Sequence, residues 1–113
     1  WEPHNELQAR FWSTCYPTAA AVEMMRLVDR ANQLLPASIS QRLLMFYSRN
    51  DSVISPEAAL EMFDATASPQ KAALEITDSG DPSQHVLAGD ILSPATTRSM
   101  AEAIASFIER PTP

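Results

Sequence analysis

The chain has only two histidines, and one of them, His85, lies in the turn-rich segment 74-LEITDSGDPSQHVLAGDILSP-94, which also holds both of its glycines, Gly80 and Gly89. Earlier, an apolar run ends in 48-SRNDSVIS-55, which delivers a carboxylate, Asp51. An aspartate that holds a histidine by one ring nitrogen fixes the imidazole tautomer and stabilises its protonated form. The other nitrogen is then left as a general base. Such a pair needs a nucleophile to act on, so the elements that bring Asp51 and His85 together decide whether the chemistry is available.

The spacing predicts a helix from Pro17 to about Leu35, with Ala21, Met24, Met25, Val28, Ala31 and Leu35 on one buried face and Pro36 as its stop. The continuous run 42-RLLMFYS-48 reads as a strand buried on both faces, as in a parallel sheet. Ser55 followed by Pro56 is a cap-plus-proline helix start, running to about Ala65 with Ala59, Leu60 and Phe63 inward. The run 71-KAALEITD-78 predicts a second strand whose Ala72, Leu74 and Ile76 make a drier face. Ser93-Pro94 repeats the helix start, and Met100, Ile104, Phe107 and Ile108 mark the apolar side of a last helix ended by Pro111. The first sixteen residues show no clean period.

Helix, strand, helix, strand, helix in that order predicts an α/β fold with parallel strands. In a parallel sheet the loops leave from the same carboxyl edge, where open α/β sheets place their ligands. Neighbouring strands lie about 4.8 Å apart, so the loops carrying Asp51 and His85 are close enough to meet. Two strands make a narrow sheet with open edges. Further strands are expected from upstream or from another chain, as self-association or as pairing with a missing N-terminal part. The chain does not begin with methionine, and a fragment whose natural start lies upstream is expected.

The pieces 43-LLMFYSRNDSVISP-56 and 84-QHVLAGDILSP-94 resemble the last third of an α/β-hydrolase of the esterase/lipase superfamily, in its monoacylglycerol lipase-like and carboxylesterase-like branch. The resemblance implies the C-terminal portion of an α/β-hydrolase fold over roughly residues 36–110, with 1–35 as the end of a cap region and its connecting helix, and 36–113 as the closing strands and helices. It implies that Asp51 is the acid and His85 the base of a Ser-His-Asp triad, in the chain order Ser…Asp…His of that fold. The family's Gly-x-Ser-x-Gly turn is absent from this sequence, so the serine is expected upstream. The implied substrate is a carboxylic or lipid-like ester, with no cofactor and no metal.

Other readings of the same residues are plainer. His85 also reads as a loop histidine bonded to a backbone carbonyl, and Asp51 as an Asx-turn residue after Asn50. Asp81, His85 and Asp90 are possible metal ligands, but one histidine with two widely spaced loop carboxylates is a weak constellation. Asp81 and Asp90 fit turn and helix-approach roles better. Cys15, alone in the chain, has no internal disulfide partner and reads as a small buried apolar residue. Met24, Met25 and Met62 read as core, with an acyl-pocket lining as the alternative. At the level of function, a non-catalytic α/β module or degenerate hydrolase acting in protein assembly stands beside the serine hydrolase.

Composition narrows the field. At 113 residues with 45% apolar content, the chain is one globular domain at most. A net charge of −6 with scattered Lys and Arg argues against nucleic acid and against an anionic membrane surface.

Overall fold

The computed structural model describes residues 1–34 and 36–110. In chain order they form α1 (Glu6–Phe11), α2 (Thr18–Asn32), a short 3₁₀ turn (Pro36–Ser38), β1 (Leu43–Tyr47), α3 (Pro56–Asp64), β2 (Lys71–Glu75) and α4 (Pro94–Glu109). The strands pair in parallel, with Leu43 opposite Lys71 and Tyr47 opposite Glu75. Helices and a parallel pair of strands make the fold α/β.

Local chemistry accounts for the helix starts. The Ser55 side chain accepts the Ala58 N–H at 3.1 Å, and Pro56 occupies the first turn of α3, where a missing N–H costs nothing. Pro94 opens α4 in the same way, but Ser93 is not a side-chain cap: its hydroxyl donates to the Val86 carbonyl.

The helix ends are tied to the strand starts by two cations. Lys71, the first residue of β2, donates from Nζ to the carbonyls of Phe63, Asp64 and Thr66 at 2.8–3.2 Å, and so closes the end of α3. Arg42, just before β1, donates to the Phe107 and Ile108 carbonyls near the end of α4 and lies over the Phe107 ring. A cation at a helix C-terminus satisfies carbonyls that the helix leaves unpaired and complements its dipole. These anchors occupy the amino edge of the sheet and leave the carboxyl edge to the loops.

Several expected burials do not occur. The face of α2 carrying Met24, Met25 and Val28 is exposed, because among the described residues no layer packs over it; Leu35 and Pro111 lie outside the described residues. β1 is half-buried throughout rather than buried on both faces, since a two-stranded sheet gives it one neighbour. On β2 Leu74 is exposed, while Ala72 and Ile76 of the same face are half-buried. The strand ends at Glu75, after which one more bond, Ile76 N–H to the Tyr47 carbonyl at 2.8 Å, prolongs the ladder. On α4, Phe107 is buried while Ile104 and Ile108 are exposed. Cys15 and Met62 are exposed as well, contrary to a core position for either.

The large buried apolar side chains among the described residues are Phe63, Leu92 and Phe107, with Pro56 buried at the start of α3. Beside them, the most deeply buried groups are polar, with Ser48, Asp81 and Ser93 almost without solvent contact. All three belong to the loops at the carboxyl edge. Burying polar groups is tolerable only when hydrogen bonds replace water, and these loops are built from such bonds.

Candidate active site

The loop after β1 begins with a tight turn. Asp51 N–H reaches the Ser48 carbonyl at 3.3 Å, and Asn50 N–H reaches the Ser48 hydroxyl at 3.2 Å. The Asp51 side chain then folds forward over its own loop, its Oδ1 accepting the N–H groups of Val53 at 2.8 Å and Ile54 at 3.0 Å. This is the Asx turn that the residue type favours. Its second oxygen stays available.

That second oxygen, Oδ2, lies 2.9 Å from Nδ1 of His85. The carboxylate is 6% exposed and the imidazole 40%. Burial alone pushes the Asp51 carboxyl up, but the hydrogen bonds from His85, Ile54 and Val53 and the attraction of His85 outweigh it. The net result is a carboxyl held below its usual range. An ionised carboxylate only accepts, so Nδ1 carries the proton and donates. In the neutral ring Nε2 then keeps its lone pair, and among the described residues nothing hydrogen-bonds to it.

The His85 loop is held by Asp81, which the sequence marked as a turn residue and, more weakly, as a possible metal ligand. Asp81, 2% exposed, accepts from Ser83 N–H at 3.2 Å and Ser83 Oγ at 2.5 Å, and its Oδ2 also takes the N–H groups of His85 at 3.0 Å and Val86 at 2.8 Å. Burial raises its carboxyl, yet these four bonds win and hold it below the ordinary value. The two loops are also joined directly, because Ser52 donates from both N–H and Oγ to the Ser83 carbonyl at 3.0 and 3.2 Å.

Gln84, just before His85, has a left-handed backbone with φ of 56°, uncommon for a side chain of its size. Its Nε2 compensates by donating to the Ser79 and Asp81 carbonyls, both at 2.9 Å. The two glycines have separate reasons to be there. At Gly80 an added Cβ would collide with the Leu92 carbonyl oxygen, and Gly89 adopts a φ of 113° that L side chains avoid. Asp90 takes no part in the cluster. Asp81 is spent on the loop backbone, and no group of three His, Cys, Asp or Glu among the described residues is placed to hold a metal ion.

Two depressions border His85, and one of them also borders Asp51. One, about 300 Å³, is lined by Met45, Tyr47, Ser48, Asp51, Ile54 and His85. The other, about 190 Å³, lies between the His85 loop and α1. A larger apolar groove of about 530 Å³ runs over β1 and α3 and includes neither Asp51 nor His85. Met62 borders that groove and Met25 a shallow dent on α2, so neither of these two methionines lies at the pair, whereas Met45 of β1 does.

Helix α1 was not legible from periodicity, although a local signal existed. Asn5 caps it by accepting the Gln8 N–H at 2.8 Å, and Gln8 Oε1 accepts the His4 N–H at 2.7 Å, a variant of the capping box. Asn5 Nδ2 also donates to the Ile91 carbonyl at 2.7 Å, which docks α1 against the loop that carries His85.

Set against known protein families, curated proteins and solved structures, the chain matches none of them.

Proposed function

We propose that this chain supplies the acid and base of a Ser-His-Asp triad in a serine hydrolase of the α/β-hydrolase type, acting on carboxylic or lipid-like esters. The observation that carries the reading is the 2.9 Å contact between Asp51 Oδ2 and His85 Nδ1, made by loops that leave adjacent parallel strands at the same edge, with Nε2 unengaged. In this mechanism Nε2 takes the proton of a serine hydroxyl as its oxygen attacks the ester carbonyl. His85 then returns that proton to the leaving alcohol, and water releases the acyl group by the same route. Asp51 orients the ring and balances the imidazolium charge. No cofactor or metal enters the scheme.

The nucleophile is not on this chain, which contains no Gly-x-Ser-x-Gly sequence. The serine and its oxyanion hole belong, on this reading, to a preceding segment of the same protein. The decisive experiment is to extend the coding sequence upstream and treat the longer protein with a fluorophosphonate probe. Labelling is expected at one serine in a Gly-x-Ser-x-Gly turn, and His85→Ala is expected to reduce it at least a hundredfold. The 113-residue chain alone is expected to show neither labelling nor p-nitrophenyl ester hydrolysis above background. An upstream sequence without that turn, or saturable labelling of a serine within this chain, overturns the proposal.

The second reading, a non-catalytic α/β module working in protein assembly, is favoured by the two free strand edges and the uncovered apolar face of α2. It predicts binding to a partner with no effect of His85→Ala.

A further inference from the structure

Both tryptophans and both histidines of the chain line a single cleft, although Trp1, His4 and Trp12 are more than seventy residues from His85 in sequence. The indoles of Trp1 and Trp12 meet edge to face, with centroids 6.3 Å apart. Val53, Leu92 and His85 line the same cleft. The helix that brings the indoles there is fastened by the Asn5–Ile91 bond. The cleft is therefore built against the same loop that holds the imidazole.

We propose that this cleft seats a short apolar arm, an acyl or alkoxy chain of a few carbons, of the ester on which His85 acts. This rests on the hydrolase reading of His85 and Asp51. Size argues for an arm rather than a whole ligand: its volume of about 190 Å³ is below the roughly 300–1,000 Å³ of sites that enclose a drug-sized molecule. Chemistry argues for an apolar occupant. Asp81, Gln8 and Ser83 also line the cleft, but the Asp81 carboxylate is buried and taken up by Ser83, His85 and Val86, and Gln8 Oε1 is held by the His4 N–H. The indoles, Val53 and Leu92 contribute apolar contact area. Position argues for a substrate arm, because His85 also borders the neighbouring depression beside Asp51, so a group bound across both passes the ring.

The 113-residue chain can be tested directly, because Trp1 and Trp12 are all its tryptophan. Butyl acetate and octyl acetate are titrated while tryptophan emission and the His85 ring resonances are followed. Butyl acetate is expected to change the emission saturably and to shift the His85 resonances with the same midpoint. Octyl acetate is expected to bind at least tenfold more weakly than butyl acetate. Val53→Phe, at an exposed position on the cleft lining, adds bulk there and should weaken butyl acetate at least tenfold; Trp12→Ala should do the same by NMR. No response to butyl acetate, an emission change with stationary His85 resonances, tighter binding of the octyl ester, or indifference to Val53→Phe each overturns the inference. Occupancy and turnover are separate readouts. Failure of butyl acetate to bind removes the cleft assignment and leaves the hydrolase reading standing. Absence of fluorophosphonate labelling in the longer protein removes the hydrolase reading and with it the cleft's role, even where butyl acetate binds.

Discussion

His85 is gripped twice by carboxylates: Asp81 Oδ2 takes its backbone N–H at 3.0 Å, and Asp51 Oδ2 takes its ring Nδ1 at 2.9 Å. One aspartate sets where the residue sits, and the other sets which way its ring faces. The two grips come from different loops, and the Ser52–Ser83 bonds hold those loops together. Removing either carboxylate should therefore produce a different defect.

Asp81→Ala leaves the N–H groups of Ser83, His85 and Val86 without their acceptor in a buried position. The expected cost is about 1–3 kcal/mol of stability, read by urea denaturation. Hydrogen exchange should quicken at His85 and Val86 in this variant. Asp51→Asn keeps a side chain that can accept from Val53 and Ile54, so it should cost less stability and leave those amides protected. Its signature is instead a reversed tautomer, because the amide nitrogen that replaces Oδ2 donates to Nδ1 and leaves the ring proton on Nε2, seen as altered His85 ring resonances. Equal exchange rates in the two variants would refute the division of labour.

The pH response follows from the same two groups. Both Asp51 and Asp81 are held below the ordinary carboxyl range in the folded state, while their unfolded values are near 3.9 (approximately). Between folded and unfolded values the unfolded chain binds more protons, so stability rises with pH there. The contribution is fully present above the unfolded value and is lost as pH falls through the folded values. Urea midpoints measured from about pH 6 down to about pH 3 should drop on the acid side. Asp51→Asn and Asp81→Asn should each flatten that drop, and an unchanged slope in both would contradict the assignment.

Gly80 admits no side chain, since a Cβ there runs into the Leu92 backbone just before α4. Gly80→Ala should destabilise by about 1–3 kcal/mol, the usual cost of forcing atoms into filled space. The His85 amide should lose protection with it. Gly89→Ala meets no neighbouring atom but must adopt a φ of 113°, so it too should destabilise, through backbone strain alone.

Two free strand edges and an exposed apolar helix face should drive association. Sedimentation is expected to show a dimer or larger species whose population grows with concentration. Replacing Met24 and Val28 with glutamate should shift the distribution toward monomer without unfolding α2, whose buried contacts they do not make. A concentration-independent monomer would count against an interface there.

Much of this arrangement was legible in the sequence because proline and serine mark helix starts locally. Ser55-Pro56 and Pro94 open α3 and α4 where expected. The meeting of Asp51 and His85 was legible too, as parallel strands send their loops to one edge. What failed was burial. Met24, Met25, Val28, Ile104 and Ile108 have the spacing of core residues, but spacing records that a face is apolar, and not what covers it. The loop-holding role of Asp81 escaped notice for a different reason. Next to Gly80 and Pro82 it has the look of a turn residue, whereas its hydrogen bonds reach four and five residues ahead, to His85 and Val86. Helix α1 is six residues long, too short for periodicity, and only its Asn5–Gln8 cap betrays it.

The ladder from Leu43 opposite Lys71 to Tyr47 opposite Glu75 makes the meeting of Asp51 and His85 a matter of counting as well as of chemistry. Deleting a single codon within 43–47 would leave both loop sequences untouched. It would nevertheless draw Asp51 back by about 3.3 Å and turn alternate side chains to the opposite face. That displacement is larger than the contact it would have to preserve, 2.9 Å from carboxylate to ring. Lineages descended from this gene should therefore tolerate exchange of one apolar residue for another along the two strands far more readily than any change in their length.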